Sequence, residues 1–161
     1  MTTAPDPITA YPDPGDLLPY GYPALHIDRI VEHRPGTLTA VKAVTYHELD
    51  LHIGRTRPAA LPASLTLESF LQACGLLLLV ESAGDEKQLL IFGSARGVRV
   101  KGAVHAGELL EHTVTLTDRD EETATFSGVA RTGDGRVVLE VDRAITLLRP
   151  AGSLADASER S

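Results

Sequence analysis

The chain has 161 residues, the size of one ordinary domain, and no interior stretch has the composition of a linker. Hydrophobic residues make up 43% and charged residues 23%, a balance typical of a soluble globular protein. A net charge of −7 and an aromatic content of only 4% argue against nucleic-acid binding, which needs a basic face and aromatic stacking platforms. The single cysteine excludes an internal disulfide and a cysteine-rich metal site. We therefore expect one aliphatic core and no nucleic-acid partner.

We find neither a targeting pattern nor a membrane-spanning pattern in the sequence. The first residues combine no basic segment with an apolar one, and the longest unbroken apolar run, 76–80, is too short to span a bilayer. A cytoplasmic protein without a membrane partner is the expectation. Residues 1–15, which are rich in proline, and the small polar residues 151–161 are predicted as flexible tails around a single domain at 16–150.

Strand-like segments surround one long helix in chain order. The strand patterns are expected at 26–32, 38–44, 88–92 running on towards 100, 111–118, 123–130 and 137–148. A Pro35-Gly36 turn joins the first two, and an irregular loop is predicted at 46–61. The helix is predicted at about 62–82, because Pro62 suits a first helical turn and Gly84 suits the end.

The second half of the predicted helix is apolar on every side, from Cys74 to Val80. A helix with this pattern must be buried all round rather than laid on a surface. Few α+β arrangements of this size can cover such a helix, and a strongly curved antiparallel sheet wrapped around it is the one that we predict. The free edge of that sheet is expected to pair with a second subunit.

Polar residues in the first half of the helix form the candidate site. Glu68 and Gln72 are one helical turn apart and share a face among apolar neighbours. A carboxyl group in an apolar cleft suits general acid catalysis, whereas the alternative is a solvated stripe near the helix start. Unpaired N–H groups around Ala63–Leu65 could hold a thioester carbonyl oxygen, with Ala63 and Ser64 as the expected substrate contacts.

Histidines and basic residues add a few further candidates. The histidines show no metal-ligand spacing, so neither a metal nor a cofactor is expected. His52 is singled out because it lies in the loop that leads into the helix of Glu68. Arg96, Arg99 and Lys101 form a small basic cluster in an acidic protein, which is either a solvated strand edge or a surface for an acidic partner.

Two segments carry a family resemblance. Residues 17–32 read Leu-Leu-Pro-Tyr-Gly-Tyr-Pro-Ala-Leu-His-Ile-Asp-Arg-Ile-Val-Glu, and residues 61–72 read Leu-Pro-Ala-Ser-Leu-Thr-Leu-Glu-Ser-Phe-Leu-Gln. The second segment is similar to the Met-Pro-Gly-Val-Leu-x-x-Glu-Ala-x-x-Gln of the FabZ-type 3-hydroxyacyl-acyl-carrier-protein dehydratases, and the chain resembles that family over about 17–149. The resemblance implies the hot-dog fold, a long helix wrapped by an antiparallel sheet, and an acyl carrier protein as partner.

The resemblance also implies roles for single residues. In the family, a histidine in a Gly-His-Phe-Pro-Gly segment is the base at the α-carbon, and a glutamate on the other subunit's helix assists the departing hydroxyl. Glu68 falls on that glutamate and Gln72 on the family's glutamine. An ungapped count places Gly54, not a histidine, at the base position. His52 reaches that position only if the loop has a two-residue insertion, because two extended residues span about 6.6 Å.

Three hypotheses follow from the resemblance. The leading one is a dehydratase-like subunit that pairs with a histidine-bearing homologue and forms trans-2-enoyl thioesters in polyketide or fatty-acid assembly. The second is a homodimeric dehydratase that uses His52, and the third is a non-catalytic hot-dog protein that binds acyl chains or stabilises a partner. The expected site lies at a dimer interface, with Glu68 and 52–57 on its walls. The other contacts are expected from Gly54, Ala63, Ser64 and Gln72 to the substrate and from Arg96, Arg99 and Lys101 to the carrier protein.

Overall fold

The computed structural model describes residues 11–53, 59–82 and 88–150, and the side chains of 50–53, 88, 89 and 150 lie outside that description. The elements that it describes are α1 (Pro14–Leu17), β1 (Arg29–Arg34), β2 (Thr37–Ala43), α2 (Tyr46–Ile53), α3 (Ala63–Glu81), β3 (Gln88–Val100), β4 (Leu109–Arg119), β5 (Thr123–Thr132) and β6 (Val137–Pro150). The predicted long helix and strand segments are thus confirmed.

The strands form one six-stranded antiparallel sheet in the order β1-β2-β4-β5-β6-β3. Gly36 and Gly135 turn two of the hairpins with positive φ angles of 75° and 89°, which glycine adopts without a steric penalty. Helix α3 packs chiefly against β2 and β4 and also touches β3, β5 and β6. A sheet that meets one helix through five strands must curve around it. The predicted α+β arrangement, the hot-dog fold, is confirmed.

Helix α3 is the centre of the core. Phe70, Leu76 and Leu77 on it are fully buried, and each of these large side chains contributes roughly 1.5–3 kcal/mol by leaving water. Judged by its whole length and its mean hydropathy of 1.7, rather than by its unbroken apolar run, α3 is long and apolar enough to cross a membrane. In this domain 56% of that stretch is buried, so the sheet supplies the apolar surroundings.

Helix α2 replaces the first half of the loop predicted at 46–61. Thr45 caps it, since its backbone oxygen accepts from the Leu49 N–H (3.1 Å) and its hydroxyl accepts from the Glu48 N–H (3.3 Å). Thr45-x-x-Glu48 is the sequence pattern of a capping box, so a local signal for this helix was present. The Glu48 carboxylate departs from the pattern and contacts Lys42 instead.

Two boundaries differ from the sequence prediction. Strand β1 begins at Arg29 rather than at 26, because the N–H and C=O groups of His26 bond to side chains of α3 and not to a neighbouring strand. Near the N-terminus, Tyr11 packs against the core and its hydroxyl accepts a hydrogen bond from the His33 N–H (3.2 Å). The packed domain therefore extends back to Tyr11, into the segment predicted as a tail.

Candidate active site

Glu68 and Gln72 lie on one face of α3, as their spacing predicts. The side-chain amide of Gln72 donates to Glu68 Oε1 over 2.9 Å. Gln72 is 2% exposed and Glu68 is half-buried, so this carboxylate is not part of a freely solvated stripe. Among the described residues no hydrogen bond uses Glu68 Oε2, which leaves that oxygen for a ligand.

The main chain around His26 determines how the Gln72 amide is oriented. The His26 N–H donates to Gln72 Oε1 (2.7 Å), and Gln72 Nε2 donates to the Ala24 carbonyl (2.8 Å). A main-chain N–H can only donate and a carbonyl oxygen can only accept, so the amide oxygen must face His26 and the amide NH2 must face Ala24. The Glu68 carboxylate consequently accepts a hydrogen bond from the NH2 group of Gln72.

Ser69 and His112 form a second buried polar pair next to this network. Ser69 Oγ donates to the His26 carbonyl (2.7 Å) and lies 2.7 Å from His112 Nε2, and both side chains are fully buried. Burial, with a smaller contribution from the charge of Lys42, lowers the pKa of His112 to about 3. The imidazole of His112 is therefore neutral near pH 7.

Tyr20 lies close enough to Glu68 to respond to its charge. Burial, followed by the negative charge of Glu68, raises the pKa of the Tyr20 phenol. The Tyr20 phenol therefore stays protonated near neutral pH.

The first turn of α3 is open. Within the described part of the chain no side chain caps it, and Ala63 and Ser64 are exposed. The Leu65 N–H donates to the Pro62 carbonyl (2.9 Å), so it is not free for a ligand, contrary to the prediction. Among the described residues nothing accepts from the N–H groups of Ala63 and Ser64, which remain available to an oxygen ligand. This geometry is compatible with the predicted substrate contact, which stays a prediction.

A second charged cluster lies beside the start of α2. Glu48 Oε1 is 2.8 Å from Lys42 Nζ and 3.3 Å from His26 Nδ1. Burial disfavours the charged form of Glu48, but the hydrogen bonds from His26 and Lys42 outweigh burial and lower its pKa. The cluster borders a cavity of about 230 Å³ that is also lined by Tyr22 and His47.

Two predicted site residues lie partly or wholly outside the described atoms. The main chain of His52 is in the last turn of α2, while its side chain lies outside the described atoms. Gly54 falls within 54–58, which lie outside the described residues. The ungapped and gapped alignments of this segment therefore both remain predictions.

The predicted basic cluster, on β3 and directly after it, is largely paired with β6. The Arg99 guanidinium forms a bidentate ion pair with the Asp142 carboxylate (2.7 and 2.6 Å) and also donates to Glu140 (2.9 Å). Lys101 Nζ lies 2.8 Å from Glu140. The bonds to Asp142 and then Glu140 raise the pKa of Arg99. The positive field expected of this cluster is therefore much reduced, because the strand register places β6 carboxylates beside it.

Arg96, the third member of the predicted cluster, has a different neighbour. Its partner in the β3–β6 register is Arg143, and both residues are exposed. Among the described residues no ion pair neutralises either of them. The positive charge on this surface therefore lies at Arg96 and Arg143 rather than at Arg99 and Lys101.

The sequence analysis missed Tyr20, Ser69 and His112. The signal for His112 was the alternation in β4, where Leu110, His112 and Val114 are all fully buried. A histidine at an inward position of a strand must find a partner in the core. Its partner Ser69 is on α3 and far away in the sequence, so the pairing itself could not be read from the pattern.

Comparisons with known proteins agree with this fold. The FabA-like domain family matches residues 18–142. The 3-hydroxyacyl-[acyl-carrier-protein] dehydratase FabZ of Neisseria meningitidis is 34% identical over 126 residues, which cover 77% of this chain and 84% of the relative. FabZ of Idiomarina loihiensis is 34% identical over 125 residues, covering 76% of this chain and 82% of the relative.

Solved structures show the same fold at lower identity. A chain of the dehydratase heterocomplex ApeI:P from Xenorhabdus doucetiae superposes with a TM-score of 0.79 at 19% identity, covering 93% of this chain and 99% of that one. A hypothetical thioesterase from Streptococcus pneumoniae, solved with coenzyme A, gives a TM-score of 0.59 at 14% identity over 76% of this chain and 85% of that one. With the matched domain and the FabZ relatives together, the chain belongs to the FabA-like family and is of the FabZ type.

Proposed function

We propose that this chain is one subunit of a dehydratase that acts on 3-hydroxyacyl thioesters of an acyl carrier protein and forms trans-2-enoyl thioesters. The observation that carries the proposal is the half-buried Glu68 carboxylate, held by Gln72 on the central helix. The FabZ relatives are dehydratases for substrates of this class, which supports the assignment. A cytoplasmic role in fatty-acid or polyketide assembly is part of the proposal.

The reaction breaks the C2–H and C3–O bonds and forms the C2–C3 double bond. In the proposed mechanism, a histidine base takes the C2 proton and the Glu68 carboxyl gives a proton to the departing hydroxyl, which leaves as water. The proton on the histidine then returns to Glu68 through solvent. Gln72 holds Oε1 and so directs Oε2 towards the hydroxyl, while the free N–H groups of Ala63 and Ser64 bind the thioester carbonyl oxygen.

The base is proposed to come from a homologous partner subunit, because the ungapped count places Gly54 at the histidine position. Strand β3 is the proposed contact surface. It is a 13-residue edge of the sheet and exposes Val98 and Val100. A long edge of this kind has unpaired main-chain groups that another chain can bond. The dehydratase heterocomplex from Xenorhabdus doucetiae supports a two-subunit arrangement for this fold.

Recognition of the acidic carrier protein is proposed to rest mainly on Arg96 beside Arg143. Arg99 and Lys101 contribute less, because a carrier carboxylate would have to displace those of β6. Charge reversal at Arg96 should slow association with the carrier protein, most strongly at low salt, whereas reversal at Lys101 should slow it less. Equal rates for wild type and both variants would reject this surface.

Co-expression separates the three hypotheses. Dehydration of a 3-hydroxyacyl-carrier protein would be followed for the chain purified alone and for its complex with a histidine-bearing homologue. We expect the chain alone to be slower by about 10² to 10⁴, the usual contribution of a general base, and Gly54→His to recover part of that loss. A homodimer that is active alone and is inactivated by His52→Ala would establish His52 as the base. Inactivity in every assembly would favour the non-catalytic hypothesis.

A further inference from the structure

We propose that Ser69 and His112 are positioning residues for the Glu68 carboxylate, acting through the main chain of His26 and the amide of Gln72. The inference rests on the proposed function only in taking Glu68 as the catalytic group. It deepens that proposal, because it extends the machinery of the site from α3 across to strand β4 of the sheet.

The path from β4 to Glu68 is continuous. His112 Nε2 meets Ser69 Oγ at 2.7 Å, and Ser69 Oγ donates to the His26 carbonyl at 2.7 Å. The N–H of the same residue 26 donates to Gln72 Oε1 at 2.7 Å, and Gln72 Nε2 reaches Glu68 at 2.9 Å. His26 is thus held at both of its main-chain groups by side chains of one helix.

Counting protons fixes the direction of each bond. The Ser69 hydroxyl has one hydrogen, and the His26 carbonyl can only accept, so that hydrogen is used there. His112 must then donate its Nε2–H to Ser69 Oγ. Its Nδ1 consequently carries a lone pair, which agrees with a buried nitrogen that has no partner among the described groups. The network has only one consistent arrangement of protons.

Simple filling of the core does not require these residue types. His26, Ser69, Gln72 and His112 are between 0% and 4% exposed, and buried polar groups cost free energy unless each is bonded. A bonded chain of polar groups that ends on one carboxylate is instead suited to holding that carboxylate in place.

A structural test of the network does not depend on activity. In NMR spectra of the intact assembly, Ser69→Ala should speed hydrogen exchange of the His26 amide and of the Gln72 side-chain amide by about 5- to 10-fold, the effect of losing one hydrogen bond. Thr146→Val is the matched control, because Thr146 is also fully buried and its hydroxyl has no partner among the described groups. The control should leave both exchange rates unchanged.

A kinetic test then separates positioning from stability. In the active assembly, Ser69→Ala and His112→Leu should each lower kcat by about tenfold with little change in KM, as expected when one hydrogen bond that orients the carboxylate is lost. His112→Gln, which keeps a donor near the Nε2 position, should recover most of the loss. In a Glu68→Gln background, Ser69→Ala should cause no further loss, because its effect passes through that carboxylate.

The outcomes are distinct. Faster exchange in Ser69→Ala together with unchanged kcat would overturn the positioning role and leave Ser69 as a structural residue. Unchanged exchange would overturn the network itself. If no assembly has dehydratase activity, the proposed function fails, whereas the exchange data still decide whether Ser69 and His112 hold Gln72.

Discussion

The two halves of α3 use burial for different purposes. In the C-terminal half, Cys74, Leu76 and Leu77 are fully buried among apolar side chains of the sheet. In the N-terminal half, Ser69 and Gln72 are buried to the same extent, but their neighbours are main-chain groups and other polar side chains. The first arrangement gives stability, and the second gives one carboxylate a fixed orientation.

This difference explains how one helix can be both the core of the domain and the support of the candidate site. Burying an all-apolar helix would cost less free energy, since each buried polar group needs a hydrogen-bond partner. The N-terminal half meets that requirement with the loop around His26 and with β4. Substitutions in the C-terminal half should therefore change stability, and substitutions in the N-terminal half should change activity more than stability.

The largest stability effect is expected at Leu77, in the C-terminal half. Leu77→Ala should lower the free energy of unfolding by about 2–5 kcal/mol, because it removes a fully buried side chain and leaves a cavity. Leu79→Ala, at a half-buried position on the same turn, is the control and should cost less. Urea unfolding measures both. Equal losses for the two variants would show that the C-terminal half is not packed as described.

A smaller stability effect is expected at Gln72. Gln72→Ala leaves the His26 N–H and the Ala24 carbonyl without their partner, at a cost of about 1–3 kcal/mol in unfolding free energy. The same change removes the hydrogen bond that holds Glu68. We therefore expect kcat of the active assembly to fall even under conditions in which the variant is fully folded. Urea unfolding and turnover are measured on the same samples. A stability loss with full activity would separate Gln72 from the site.

The neutral His112 should make stability depend on pH. The pKa of His112 is about 3 in the folded chain against about 6.5 when unfolded, so between these values the unfolded chain binds more protons and stability falls as the pH drops. One proton corresponds to a slope of about 1.4 kcal/mol per pH unit. His112→Leu should have a flatter profile between pH 6.5 and 3 than wild type in urea unfolding. Parallel profiles would contradict a buried neutral imidazole.

The smallest effect is expected at the surface ion pairs of β3 and β6. Arg99→Ala should leave the melting temperature nearly unchanged, because exposed ion pairs are screened by water and salt. Gly97→Ala next to it should be clearly destabilising, since Gly97 has φ 60° and an added Cβ would lie 2.2 Å from Asp142 Oδ2. Thermal unfolding compares the two variants. A larger loss at Arg99 would give this ion-pair cluster a structural role.

Much of the fold could be predicted because it depends on patterns within single segments. The ring of apolar residues in α3 requires wrapping, and the alternating segments after it supply the strands. Helix α2 was missed because its strongest signal is one capping pattern, Thr45-x-x-Glu48, and not an apolar stripe. Strand β1 was placed too early because the main chain of His26 bonds to α3, a contact that no local pattern reveals.

The site was predictable only in part for a related reason. The Glu68 and Gln72 pair is one helical turn apart, so the spacing alone predicted their contact. Ser69 and His112 are 43 residues apart, and Arg99 and Asp142 are also 43 residues apart. Such pairs are set by strand register and helix docking, so isolated patterns predicted neither the buried network nor the neutralised surface.

The most direct test of the central claim is turnover by Glu68→Gln in the active assembly. This substitution keeps an oxygen that can accept from Gln72, so the unfolding free energy should stay close to that of wild type. It removes the acidic proton, so we expect kcat for dehydration to fall by about 10² to 10⁴. Turnover within a few-fold of wild type in every assembly would contradict the account, because Glu68 would then be a structural residue of α3.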